Sequence, residues 1–108
     1  MAFDALELAL QLAAVLREPL ARLQQRAPRL AAQARDACDS SALNLAEGRY
    51  RAGRDRLHLF RIALGSTGEV RAALLLAQAW GYLTPAELHP PLALLDRLLA
   101  IGGRLTRH

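Results

Sequence analysis

Residues 40–69 read SSALNLAEGRYRAGRDRLHLFRIALGSTGE, and the fold turns on how this stretch divides. At its centre Arg51-Ala52-Gly53-Arg54 interrupts the apolar spacing, and Asp55 stands near the start of whatever follows. On either side apolar residues return at intervals of three and four, the period of an α-helix with one buried face. The stretch is therefore a helical hairpin. Its first arm opens on Ser40-Ser41, which with the preceding Asp39 is poor helix sequence because short polar side chains compete for backbone partners. Tertiary contacts must hold that arm in place.

Working outward, the first arm extends back to Pro28, which suits the first turn of a helix. This helix runs to about Gly48 or Arg51, with Leu30, Ala34, Ala37, Ser41, Asn44 or Leu45, and Gly48 facing inward. The second arm continues from about Asp55 to Trp80 and stops at Gly81, a residue free to take the left-handed conformation. Leu57, Phe60, Leu64, Thr67, Val70, Leu74, Ala77 and Trp80 form its buried side, while Leu59, Ile62, Leu75 and Leu76 fall largely outside it.

Upstream lies a helix from about Phe3 to Gln25, with a bend expected at Pro19. Leu6, Leu10, Ala13, Leu20 and Leu23 trace one stripe on it, and Ala5, Leu8, Leu12 and Val15 a second. Downstream, Thr84-Pro85-Ala86-Glu87 reads as a capping box. Pro90-Pro91 then predicts a short turn of helix, a kink, and a main fourth helix from Pro91 to about Leu105. Short connections favour antiparallel neighbours, so the sequence predicts an all-α, up-down-up-down four-helix bundle forming a single domain over residues 1–108.

Composition agrees. Hydrophobic residues make up 53% of the 108 residues and aromatics only 5%, with leucine and alanine dominant and β-branched residues scarce. The first and third helices carry more apolar surface than the ~100° stripe a bundle core needs, which points to self-association. The net charge is +4, all 14 basic side chains being arginine, a modest attraction for polyanions. The lone Cys38 excludes an intrachain disulfide and fits a cytoplasmic setting. Acidic residues stand near the N-terminus where a secretory signal would be basic, and no apolar run approaches the ~20 residues of a membrane span.

Asn44-Leu45-Ala46-Glu47-Gly48, then Ile62-Ala63-Leu64-Gly65-Ser66 with Glu69, then Gly81-Tyr82-Leu83, resemble in order and spacing the four-helix-bundle family of 23S ribosomal RNA intervening-sequence proteins. That family is related to the accessory proteins of diversity-generating retroelements. Ala42 and Leu43 stand where family members commonly have proline and serine. The resemblance implies a homopentamer with no enzyme activity.

Two constellations are candidate sites. Asn44 and Glu47 lie three apart on the second helix, Ser66 and Glu69 three apart on the third, and antiparallel packing could bring the pairs together. A carboxylate metal site would usually add a Glu-x-x-His pattern, but Tyr50 and Ala72 occupy the third positions on. The favoured reading is a buried hydrogen-bonded network that sets the register of the hairpin, with Arg61 or Ser41 as further partners. Gly65 and Gly68, costly inside a helix, suggest close helix approach.

The second constellation is Arg49, Arg51, Arg54 and Arg56 around the turn, joined at the same end of the bundle by Arg104 and Arg107. It reads either as a phosphate-contacting patch multiplied by oligomerisation or as a solvated cap balanced by Asp4, Glu7 and Asp55. Tyr50 is the one aromatic among these residues, so base stacking is poorly supported. His58, His89 and His108 have no ligand spacing, and no cofactor motif is present. The sequence thus predicts a non-enzymatic oligomeric scaffold whose partners are itself and RNA, DNA or a nucleic-acid-processing protein. The alternative is a purely structural oligomer or protein-interaction module.

Overall fold

The computed structural model describes residues 3–107. Four helices follow one another: α1 (Asp4–Arg26), α2 (Pro28–Arg49), α3 (Gly53–Ala79) and α4 (Pro85–Leu105). Each packs on its two neighbours in a closed ring, α1 on α2, α2 on α3, α3 on α4 and α4 back on α1. The long axis measures 42 Å against 22 and 21 Å across, as expected for ~22-residue helices of ~33 Å laid side by side.

Chain direction follows from which residues meet. As α2 advances from Ser41 to Gly48, its neighbours on α3 retreat from Thr67 to Phe60. Between α3 and α4, Leu64 meets Gly102 and Arg71 meets Asp96, again in opposite order. Both pairs are antiparallel. The Arg22–Glu87 ion pair joins the end of α1 to the start of α4, so the α4 C-terminus lies toward the α1 N-terminus.

The core draws on every helix: Leu8, Leu12, Leu16 and Leu23 from α1, Ala34, Cys38 and Leu45 from α2, Phe60, Val70 and Leu74 from α3, Leu88, Leu95 and Leu98 from α4. On α1 the stripe through Ala5, Leu8 and Leu12 is buried while Leu10 is left outside, which accounts for the surplus apolar surface there. Ile62, Leu75 and Leu76 are exposed on α3, as their spacing indicates. Trp80 departs from the sequence expectation. It is the C-cap of α3, beyond the last turn that reaches the core, and lies 65% exposed with its ring stacked on Tyr82 at 6.5 Å.

The helix ends obey their local chemistry. Gly81 adopts φ +80°, and the amides of Gly81 and Tyr82 bond back to the carbonyls of Gln78 and Ala77, a Schellman closure of α3. Thr84 and Glu87 form the reciprocal capping box at the start of α4. Pro90 and Pro91 do not split α4, which runs unbroken from Pro85 to Leu105 where the sequence predicts a short turn followed by a separate main helix from Pro91. They sit in its second turn and remove the ladder bonds to the carbonyls of Ala86 and Glu87 alone. The capping box below and the buried Leu88, Pro91 and Leu95 hold the segment across that gap.

Candidate functional site

The α2/α3 interface holds the polar residues that are buried. Ser41 and Thr67, both essentially inaccessible, join Oγ to Oγ1 at 2.7 Å. Thr67 Oγ1 also donates to the Ala63 carbonyl at 2.8 Å, so its single proton is committed and Ser41 must be the donor to Thr67. One residue along on each helix, and nearer the surface, Ser40 Oγ and Ser66 Oγ meet at 2.8 Å, and Asn44 Nδ2 donates to the Ser40 carbonyl at 2.8 Å and to Ser40 Oγ at 3.2 Å. These bonds tie the weak Asp39-Ser40-Ser41 segment to α3, the tertiary support its composition demands.

Of the residues expected in this network, the structure brings together Asn44 and Ser66, through Ser40. It leaves out Glu47, Arg61 and Glu69, all exposed. Glu47 pairs instead with Arg51 at 3.0 Å. The correction has a simple cause: burying a carboxylate without a charged partner costs far more than burying a hydroxyl. Serine and threonine therefore occupy the interior, and the carboxylates turn outward. The sequence held a signal for this. In an antiparallel hairpin, residues equidistant from the turn meet, and Ser41 with Thr67 stand equidistant from Arg54, as Gly48 and Phe60 do. Ser40 and Thr67 are the members that spacing within single helices missed.

Gly48 explains the closeness of this contact. A Cβ there would fall 2.7 Å from the Phe60 ring and 3.3 Å from Leu59 Cβ. Gly102 has the same role against Leu64 Cδ1, also at 2.7 Å. Gly65 and Gly68 do not: nothing lies within 4 Å of a Cβ built at either, so close approach inside the chain is not their reason.

The arginine end is assembled from three termini. Phe3 packs on Phe60 with ring centroids 5.7 Å apart, which fixes the start of α1 beside the α2/α3 turn. The arginines there divide by occupation. Arg56 turns back on its own chain, donating to the carbonyls of Gly48 at 3.3 Å and Arg49 at 3.2 Å. Both carbonyls lie at the end of α2, where intrahelical donors run out, and the Gly48 carbonyl also accepts the Arg51 amide at 3.1 Å, so Arg56 adds to the capping of the helix. Arg51 lies between Glu47 and Asp55, at 3.0 and 3.8 Å. The Arg49 guanidinium sits over the Phe3 and Tyr50 rings, 5.9 and 5.6 Å from their centroids. Arg54, Arg104 and Arg107 are exposed, and their side chains take no hydrogen bond or ion pair among the described residues. Arg104 and Arg107 follow Gly102, on the side of α4 that runs toward this end.

A second feature is a half-open groove of about 670 Å³ between α1 and α2, floored by Ala13, Ala31 and Leu16 and edged by Arg17, Arg35 and Asp39. Cys38 lies in its lining, and burial, aided by the neighbouring Asp39 charge, pushes the thiol up to about 11. At neutral pH it is protonated, the wrong state for a nucleophile. His108 lies outside the described residues, and among those described no three of His, Cys, Asp and Glu gather as metal ligands would. No helix in the described residues is long and apolar enough to cross a membrane.

Comparison with curated proteins and with solved structures finds no match. A family description does match, over residues 2–102, nearly the whole bundle and both arms of the hairpin. The chain belongs to the family described as 23S rRNA-intervening sequence protein.

Proposed function

We propose that the protein is a non-enzymatic, homo-oligomeric scaffold of the cytoplasm, pentameric as its family resemblance implies, that presents its arginine end to RNA, DNA or a nucleic-acid-processing partner. The observation that carries the reading is the pairing of two surfaces on one small bundle. One is the exposed apolar side chains, Leu10 on α1, Leu43 on α2, and Ile62, Leu75, Leu76 and Trp80 along α3 and at its cap, which contact with further copies would cover. The other is the cluster Arg54, Arg104 and Arg107, which each further copy would repeat. Repetition matters because each arginine adds little alone, whereas linked sites act together on one polyanion.

The second reading, a purely structural oligomer, draws support from Arg51 and Arg56, whose charges are already engaged within the chain. Titration of labelled RNA and DNA across a salt series separates the two. The scaffold reading expects binding that weakens steeply with salt and is lost in the triple variant Arg54→Ala, Arg104→Ala, Arg107→Ala. Absence of binding at the lowest salt, with the oligomer intact, overturns the nucleic-acid part and leaves the structural oligomer.

A further inference from the structure

The outward side of α3 repeats in sevens. Ile62, Glu69 and Leu76 follow one another at heptad spacing, with Gly65, Ala72 and Ala79 between them at the complementary positions. All six are exposed. Ile62 and Leu76 keep 39% and 48% of their surface in water. This is a seam of large knobs alternating with small residues, the pattern of one helix prepared for another. Gly65 sharpens the point. Glycine is disfavoured inside helices, and within the chain nothing comes near enough to require it.

On the opposite flank of the molecule α1 carries a matching run. Leu10, Arg17 and Gln24 stand at heptad spacing, Leu10 being 57% exposed, and Arg17 edges the alanine-rich groove between α1 and α2. Each seam thus has an apolar knob followed one heptad later by a charge, and the charges are opposite: Glu69 on α3, Arg17 on α1. Arg35 adds a second cation to the groove against the single carboxylate of Asp39. Neither Arg17 nor Arg35 has an ion pair among the described residues.

We infer that the α3 seam of one copy seats against the α1/α2 groove of a second copy, with Glu69 meeting Arg17. The inference rests on the homo-oligomeric reading above and specifies its interface. A charged residue at one seam position is the usual device for fixing register and partner. Two copies meeting through α3 alone would share a self-complementary seam, bringing like carboxylates near one axis and leaving the groove empty. Joining unlike faces leaves each pair with one unused seam and one unused groove, so the contact propagates from copy to copy, into a ring when the rotation between copies closes.

Charge reversal tests it. Glu69→Arg and Arg17→Glu are each expected to reduce the particle to monomer mass by light scattering with helical circular dichroism unchanged, and the double reversal to restore the wild-type mass. Gly65→Leu, which favours the helix, is expected to keep the fold and abolish assembly. A mixture of Leu76→Arg and Ala13→Arg chains, one with a blocked seam and one with a blocked groove, is expected to stop at dimers. Single reversals and Gly65→Leu that retain wild-type mass overturn this interface while the oligomer stands. A wild-type chain that is monomeric at every concentration overturns the oligomeric reading and the interface with it.

Discussion

Ser41 Oγ donates to Thr67 Oγ1 across 2.7 Å, in a contact from which water is almost wholly excluded. The direction is forced, because Thr67 spends its proton on the Ala63 carbonyl. The two hydroxyls are therefore not equivalent. Thr67→Val keeps the shape but strands the Ser41 proton, and an unsatisfied buried donor costs about 1–3 kcal/mol. Ser41→Ala leaves Thr67 bonded to Ala63 and should cost only about 0.5–1.5 kcal/mol. The double variant should lose less than the sum of the two. Urea denaturation of the four proteins measures the cycle, and a larger loss for Ser41→Ala than for Thr67→Val would contradict the assigned direction.

The glycines divide in the same way, by what surrounds them. Gly48→Ala drives a methyl group into the Phe60 ring, whose buried position gives it little room to move, and should destabilise by about 1–3 kcal/mol. Gly68→Ala meets nothing within 4 Å and removes a poor helix former, so it should stabilise by about 0.5–1 kcal/mol. The melting temperature should move in opposite directions for the two. A fall for Gly68→Ala would mean that this position too is covered, by something other than its own chain.

These contrasts show where sequence reasoning held and where it stopped. Helix periodicity and the break at Gly53 were enough for four helices and for an inward Ser41 and Thr67. Periodicity within one helix does not say which polar residue on the edge of the stripe reaches the neighbouring helix. Glu47 and Glu69 therefore looked equivalent to Asn44 and Ser66, until the cost of burying charge separated them. At the turn, Arg56 is indistinguishable in sequence from Arg54. The difference is that Arg56, and not Arg54, reaches back to the terminal carbonyls of α2. Pro90-Pro91 reads as an interruption by local propensity alone, which takes no account of the burial of Leu88, Pro91 and Leu95 around it.

Glu87 links the start of α4 to α1 and gives the fold a sensitivity to acid. Its carboxylate receives Arg22 Nε at 2.6 Å and the Thr84 hydroxyl at 3.0 Å, and these hydrogen bonds, Arg22 first, hold it below the usual carboxylate range. A carboxyl group whose folded value is depressed contributes stability that is fully present above its unfolded value, ~4.3, and is lost as pH falls through the folded value. Wild-type stability should therefore decline more steeply below about pH 4.3 than that of Glu87→Gln, which carries no titrating group. The two proteins' pH–melting curves should converge in acid. Parallel curves would show that the Arg22–Glu87 contact contributes nothing in solution.

Arg54 and Arg56 stand two residues apart and should separate cleanly by experiment. Arg56 donates to the Gly48 and Arg49 carbonyls at the end of α2, and the Gly48 carbonyl keeps the Arg51 amide without it, so Arg56→Ala removes two side-chain bonds from helix-terminal acceptors and should cost about 1 kcal/mol. Arg56→Lys should recover only part of this, since a single ammonium cannot reproduce the forked contact that places Nε on one carbonyl and an Nη on the other. The Arg54 side chain makes no hydrogen bond or ion pair among the described residues, so Arg54→Ala should leave the melting temperature unchanged. If the arginine end meets a polyanion, the same Arg54→Ala change should lower affinity at low salt and flatten its salt dependence by about one unit of slope. Arg56→Ala should then weaken binding only as far as it loosens the turn. Chemical denaturation and a salt-series titration on the two alanine variants decide this, and a binding loss confined to Arg56→Ala would move the polyanion contact from the exposed arginines to the helix cap.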